Sequence, residues 1–261
     1  MAKLHDMFTQ ARRAQSGAGM GFLGKNKPDS KAHAAALVIE FPQIVAGNAE
    51  AALKAGADGL LFTWNGKENG TLETVKQEIE AAKSYNDDVV SGLRITGGWE
   101  HLNRESFAHI KEQGVQYVVL PLTAPAHLLT LEPKDIEKVV TVPMRSEELF
   151  PLFIRTLSSL FGITAVDLDF NTNGTLSIEE TLRYQAVREA VRYPSFLRVS
   201  GELDRERASL LKLLGIQGVI LQARADEAAT RKELQAVRTL LEQLFEEDKD
   251  TGTQPFGRNT K

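Results

Sequence analysis

Five residues of "DLDFNTNGTLSIEE" (167–180) stand at a spacing that could hold a metal ion. Asp169, Asn171, Asn173 and Glu180 would supply side-chain oxygens and Thr175 a main-chain carbonyl, with Gly174 making the sharp turn of a calcium loop. The same letters have a second reading. Ser177 and Glu180 fit a capping box, in which hydroxyl and carboxylate each satisfy free N–H groups at a helix start. "NTNG" is good turn chemistry whatever it binds. "GITAVDL" before Asp169 looks like a strand, whereas the calcium motif needs an incoming helix. A related turn, "ENGTL" (68–72), has no acidic first ligand. Ca2+ is the one cofactor the sequence suggests, and both readings stay open. In either, Asp167 and Asp169 are candidates for acid–base chemistry, since alternation along a strand points both to one side.

Arg94 and Arg198 each interrupt an apolar run. A buried guanidinium is costly unless paired, and Glu40, Asp167 and Asp169 are the partners at hand. The result is either an ion-paired layer or a clamp for a carboxylate or phosphate, which arginine forks suit. Glu40 joins Asp167 and Asp169 as a candidate catalytic residue. Trp64 could stack on a planar ligand or simply cover the site. His127, in "TAPAHLL", fits a general acid or base as well as a surface loop. No lysine ends a strand, which argues against Schiff-base chemistry. No His-x-His ends the first strand, and no glutamate on the fourth pairs with Glu202 for retaining glycoside cleavage.

The elements that must position these groups are legible as a repeat. "KAGADGLLF" (54–62), "EQGVQYVVL" (112–120), "LFGITAVDL" (160–168) and "LLGIQGVIL" (213–221) share one plan. Each has a helix-like lead, a glycine and a run of Val, Ile and Leu. The glycines, Gly56, Gly114, Gly162 and Gly215, recur at a period that suggests supersecondary units. A glycine there reads as a left-handed helix cap. The run behind it lacks strict alternation, as expected of a strand covered on both faces. Four further runs lie between: 34–41, 89–95, 138–144 and 195–201. Eight strands alternating with helices predict an α/β protein, a single (βα)8 TIM barrel. A doubly wound sheet is the rival, but "GAGMG" (17–21) follows a helix rather than a strand, so its nucleotide fingerprint is missing. Residues 1–31 read as an N-terminal helical and Gly-rich extension over one end of the barrel, 32–247 as the barrel, and 248–261 as a mobile tail.

Bulk properties narrow the partners. The 261 residues carry 31 basic against 35 acidic side chains, a net charge of −4, so nucleic acid is not expected. There are no cysteines, which excludes disulfides, thiolate metal sites and cysteine nucleophiles. No run reaches the length of a membrane span, and "MAKLHDMFTQARRAQ" is too polar for a signal peptide. A cytoplasmic protein is expected, with a homo-oligomer left open.

The segment "FLRVSGELDRERASLLKLLGIQGVILQARAD" (196–226) resembles the phosphate-binding (βα)8 barrels of the indole-glycerol-phosphate synthase and thiamine phosphate synthase type. Ser200 and Gly201 match the turn after strand seven, and "LGIQGVIL" matches strand eight. "QARAD" departs from the Gly-rich loop whose N–H groups cradle phosphate in that group. The resemblance implies the fold, and with it a working face at the C-terminal strand ends. The expected function is a lyase or isomerase acting on a small anionic metabolite, bound by Arg94, Arg198, Ser200, Gly201 and Trp64. The alternative is a barrel without chemistry that serves as a binding or assembly module.

Overall fold

The computed structural model describes residues 3–13, 31–130, 136–143, 150–159, 162–169, 177–199 and 203–251. The glycine run 17–21, the tail from 252, and Asn171, Asn173, Gly174, Thr175, Ser200 and Gly201 lie outside the described residues.

Eight parallel strands close into a barrel in sequence order. They are β1 (Ala36–Phe41), β2 (Gly59–Trp64), β3 (Val90–Ile95), β4 (Tyr117–Pro121), β5 (Glu137–Pro143), β6 (Ile163–Asp169), β7 (Ser195–Val199) and β8 (Gly218–Gln222). β8 returns to β1, with Ala36 opposite Gly218 and Glu40 opposite Gln222. The fold is a (βα)8 barrel. The four repeated glycines all have positive φ, from 63° at Gly215 to 106° at Gly56, a conformation that penalises a Cβ.

The helices are α1 (Lys3–Ala11), α2 (Asn48–Lys54), α3 (Asn69–Tyr85), α4 (Arg104–Glu112), α5 (Phe150–Arg155), α6 (Ile178–Val191), α7 (Arg205–Leu213) and α8 (Glu227–Thr251). Two departures from even alternation appear. Between β4 and β5 the described residues form only a 3-10 turn, Ala126–Thr130. The pattern 147–161 reads as one helix, yet α5 ends at Arg155 and a 3-10 turn, Thr156–Ser159, follows. The cause is local: the hydroxyls of Thr156, Ser158 and Ser159 bond the carbonyls three residues back at 2.7, 2.7 and 2.6 Å. That spacing matches the tighter helix.

Alternation along the strands makes two cores. Phe62, Trp64, Leu93 and Leu120 face the helices, whereas Val38, Leu61, Val119 and Ile220 face the barrel axis. Tyr117 fills the axis so completely that a Cβ on Gly92 would lie 2.2 Å from its ring. Below it, α1 seals the N-terminal end of the barrel. Leu4, Met7, Phe8 and Ala11, spaced as one helical face, join the inner core. Phe8 packs on Phe196 at 4.9 Å between centroids, and Glu137 at the start of β5 accepts the Lys3 and Leu4 N–H groups. At this closed end Asp58 takes the Leu37 N–H at 2.7 Å, the His33 ring at 2.8 Å and Arg238 of α8 at 3.0 Å. No described helix is long and apolar enough to cross a membrane.

Candidate functional site

Near the open end of the barrel, six strands each bring one inward-facing residue to a common layer. On β1, alternation from Ala36 through Val38 brings Glu40 inward. The same counting places Thr63 of β2, Arg94 of β3, Thr141 of β5, Asp167 of β6 and Arg198 of β7 in one layer. Register puts Thr63 beside Arg94 and Thr141 beside Asp167.

Four of these groups carry charge and pair with one another. Arg94 Nε donates to Glu40 Oε1 at 2.6 Å, and Arg94 Nη2 to Asp167 Oδ2 at 2.6 Å. Arg198 Nη1 donates to Glu40 Oε2, and Arg198 Nη2 to Asp167 Oδ2 at 3.1 Å. Each carboxylate therefore bridges both arginines, and each arginine bridges both carboxylates. Thr141 Oγ1 adds a third donor to Asp167 Oδ2 at 3.3 Å, and Thr63 Oγ1 donates to Glu40 at 3.4 Å. Asp167 Oδ1 is buried and has no hydrogen-bond partner among the described residues.

The layer is neutral when both carboxylates are ionised, but its members are not equivalent. Asp167 is wholly buried, whereas the arginine side chains stay 17% and 18% exposed. Burial pushes the Asp167 carboxyl up to about 6; Arg94 opposes the rise, and the charges of Glu40 and Asp169 add to it. Beneath, Tyr117 has its hydroxyl held well above its ordinary value, chiefly by burial. Asp169, two residues beyond Asp167 on the same side of β6, is exposed at the rim.

The sequence therefore places Glu40, Arg94, Asp167, Arg198 and Asp169 at one end of the molecule. Trp64 is not among them. It is an outward residue of β2, buried in the helix-facing core, with its indole N–H donating to the Glu68 carbonyl at 3.0 Å. His127 is exposed on the 3-10 turn after β4, and its Nε2 bonds the Leu102 carbonyl at 3.1 Å. Thr63 and Thr141 were not among the expected site residues. Their signal is weak, because threonine is an ordinary strand residue.

The calcium reading loses one expected ligand to the helix. Ser177 N–H and hydroxyl both donate to Glu180 Oε2 at 2.8 Å, and Glu180 N–H donates to Ser177 Oγ at 3.1 Å. This is the capping box, and the element entering from Asp169 is a strand. Among the described residues no group of three His, Asp or Glu gathers as a metal centre. After β8, Asp226 accepts the Ala228 and Ala229 N–H groups at 3.1 and 3.2 Å, so these donors at the start of α8 are already engaged.

No protein-family model matches the sequence, and neither does any curated protein. Solved structures do match. The tryptophan synthase alpha chain of Legionella pneumophila is 13% identical, with a TM-score of 0.60 over 97% of this chain and 100% of that one. The (S)-3-O-geranylgeranylglyceryl phosphate synthase of Thermoplasma acidophilum, solved with its substrate sn-glycerol-1-phosphate, is 13% identical, with a TM-score of 0.56 over 93% and 99%. An HpcH/HpaI aldolase of Desulfitobacterium hafniense is 12% identical, with a TM-score of 0.51 over 87% and 96%. What they share with this chain is the barrel. The resemblance to the phosphate-binding barrels thus holds at the level of fold.

Proposed function

We propose that this chain is an enzyme, a lyase or isomerase, that takes a small anionic metabolite at the C-terminal end of its barrel. The observation that carries this reading is the four-charge layer, in which two part-exposed arginines are held by Glu40 and a wholly buried Asp167. Such forks are pre-organised for a carboxylate or phosphate oxygen. Working faces of this fold lie at the same end, and the solved structures that share the fold are named as synthases and an aldolase.

The roles divide by exposure. Glu40 and Asp167 are taken up by the arginines and orient them. Asp169 is the carboxylate open to solvent, so it is the group we assign to proton transfer with substrate. The anion belongs at Arg94 and Arg198 rather than at the start of α8, where Asp226 already occupies N–H groups. Ser200 and Gly201, which follow β7 in the sequence, would extend the site.

A second reading, a barrel that binds or assembles without chemistry, has one observation in its favour: both arginine forks are already engaged by internal carboxylates. Calorimetry with sulfate and with small phosphorylated and carboxylated metabolites separates the two. Millimolar or tighter binding that weakens at least tenfold in Arg198→Gln supports the anion site. Turnover of a bound metabolite, lost by about 100-fold or more in Asp169→Asn, supports the enzyme. No heat with any of these anions would leave the second reading.

A further inference from the structure

We propose that two copies of this chain pair through the outer face of α6 and the neighbouring α5, about a twofold axis that passes between the two copies of α6 at the level of its first turn. A barrel helix buries one face on the sheet, and α6 does so with Tyr184, Val187 and Val191. Its opposite face should then be polar. Instead Ile178 is 82% exposed and Leu182 64% exposed. They stand four residues apart, with exposed Ala186 continuing the same stripe. α5 packs against α6 and leaves Leu152 and Phe153 almost as open, at 64% and 63%. Two adjacent helices thus hold four of the seven exposed large apolar side chains among the described residues. Single exposed leucines are ordinary on a protein surface; a concentration of this kind marks an interaction surface.

The charges beside the stripe indicate what covers it. Glu179 and Arg183 form an ion pair of 2.5 Å along the helix, offset by one residue from Ile178 and Leu182. A twofold axis perpendicular to α6 reverses the direction of the helix in the second copy. With that axis between residues 180 and 181, Ile178 meets Leu182 of the second copy within a residue's rise. Glu179 likewise meets Arg183 of the second copy. The apolar pair and the charged pair are each self-complementary under the same operation, which is what an isologous contact requires. Opposite signs facing each other also fix the register of the pairing. An unrelated partner would call for no such symmetry.

Sedimentation equilibrium of the full chain tests this. A dimer is expected, and Leu182→Asp should raise its dissociation constant by about 30-fold or more while the circular dichroism spectrum is unchanged. Glu179→Arg or Arg183→Glu alone should weaken the dimer, because each places like charges in opposition. The double exchange Glu179→Arg with Arg183→Glu should restore it. A wild-type chain that stays monomeric at about 100 µM overturns the proposal. So does a dimer indifferent to Leu182→Asp, or a double exchange no tighter than the single changes.

Discussion

Glu40, Arg94, Asp167 and Arg198 depend on one another, so no single one can be removed cleanly. Glu40→Gln or Arg94→Met leaves an opposite charge buried without its partner. Each should lower stability by about 3–5 kcal/mol in urea titrations. Replacing Glu40 and Arg94 together by apolar residues of similar size should recover much of that loss. Gly92→Ala should also destabilise, since its methyl group would meet the Tyr117 ring. Tyr117→Leu in the same chain should lessen the effect, read from the same titrations. These positions were legible to different degrees. Arg94 and Arg198 announce themselves as charges inside apolar runs, and their need for partners points to Glu40 and Asp167. Trp64 was misread as a neighbour of the site, because a strand buried on both faces hides which side each residue takes. Thr63, one residue earlier, is the one that points inward.

Between strands and helices, the repeated glycines were the most readable feature, because a left-handed cap has few substitutes. The connection after β4 was less so, since "TAPAHLL" contains apolar residues at helical spacing, yet the described residues there form only the 3-10 turn Ala126–Thr130. The N-terminal extension reads as lying over one end of the barrel, but which end α1 closes was not legible: a polar-faced nine-residue helix could cover any apolar opening. Its seat on Phe196 makes it a structural plug. Phe8→Ala should cost about 3–5 kcal/mol, seen as a lower urea midpoint, and should leave sulfate binding at the opposite end unchanged. The Asp58 cluster ties β2 to α8 and to the segment entering β1. Asp58→Ala should destabilise by about 3 kcal/mol, because buried His33 and half-buried Arg238 lose their shared acceptor.

For the molecule as a whole, buried Asp167 and half-buried Asp58 push the pH dependence of stability in opposite directions. Burial raises the Asp167 carboxyl from 3.8 to about 6. The native state then holds a proton that the unfolded chain has released, so this contribution is present at low pH and lost as pH rises from about 4 to 6. Burial also acts to raise Asp58, but His33, Arg238 and the Leu37 N–H outweigh it and hold the group below 3.8. Its contribution is present above that value and disappears as pH falls through the lowered one. Asp167→Asn removes the first effect and leaves that of Asp58 in place. Wild type should therefore lose stability relative to this variant, on the order of 2 kcal/mol, between pH 4.5 and 7 in urea titrations.

The stopper at the base of the barrel joins the beginning of the chain to its last strands. Leu4, Met7 and Phe8 leave the ribosome long before Phe196 and Gly218, which complete their socket. Until those residues follow, the oily side chains lack part of their home. Nascent chains stalled before β8 should therefore bind a holdase chaperone through this segment, and chains extended past β8 should lose that binding.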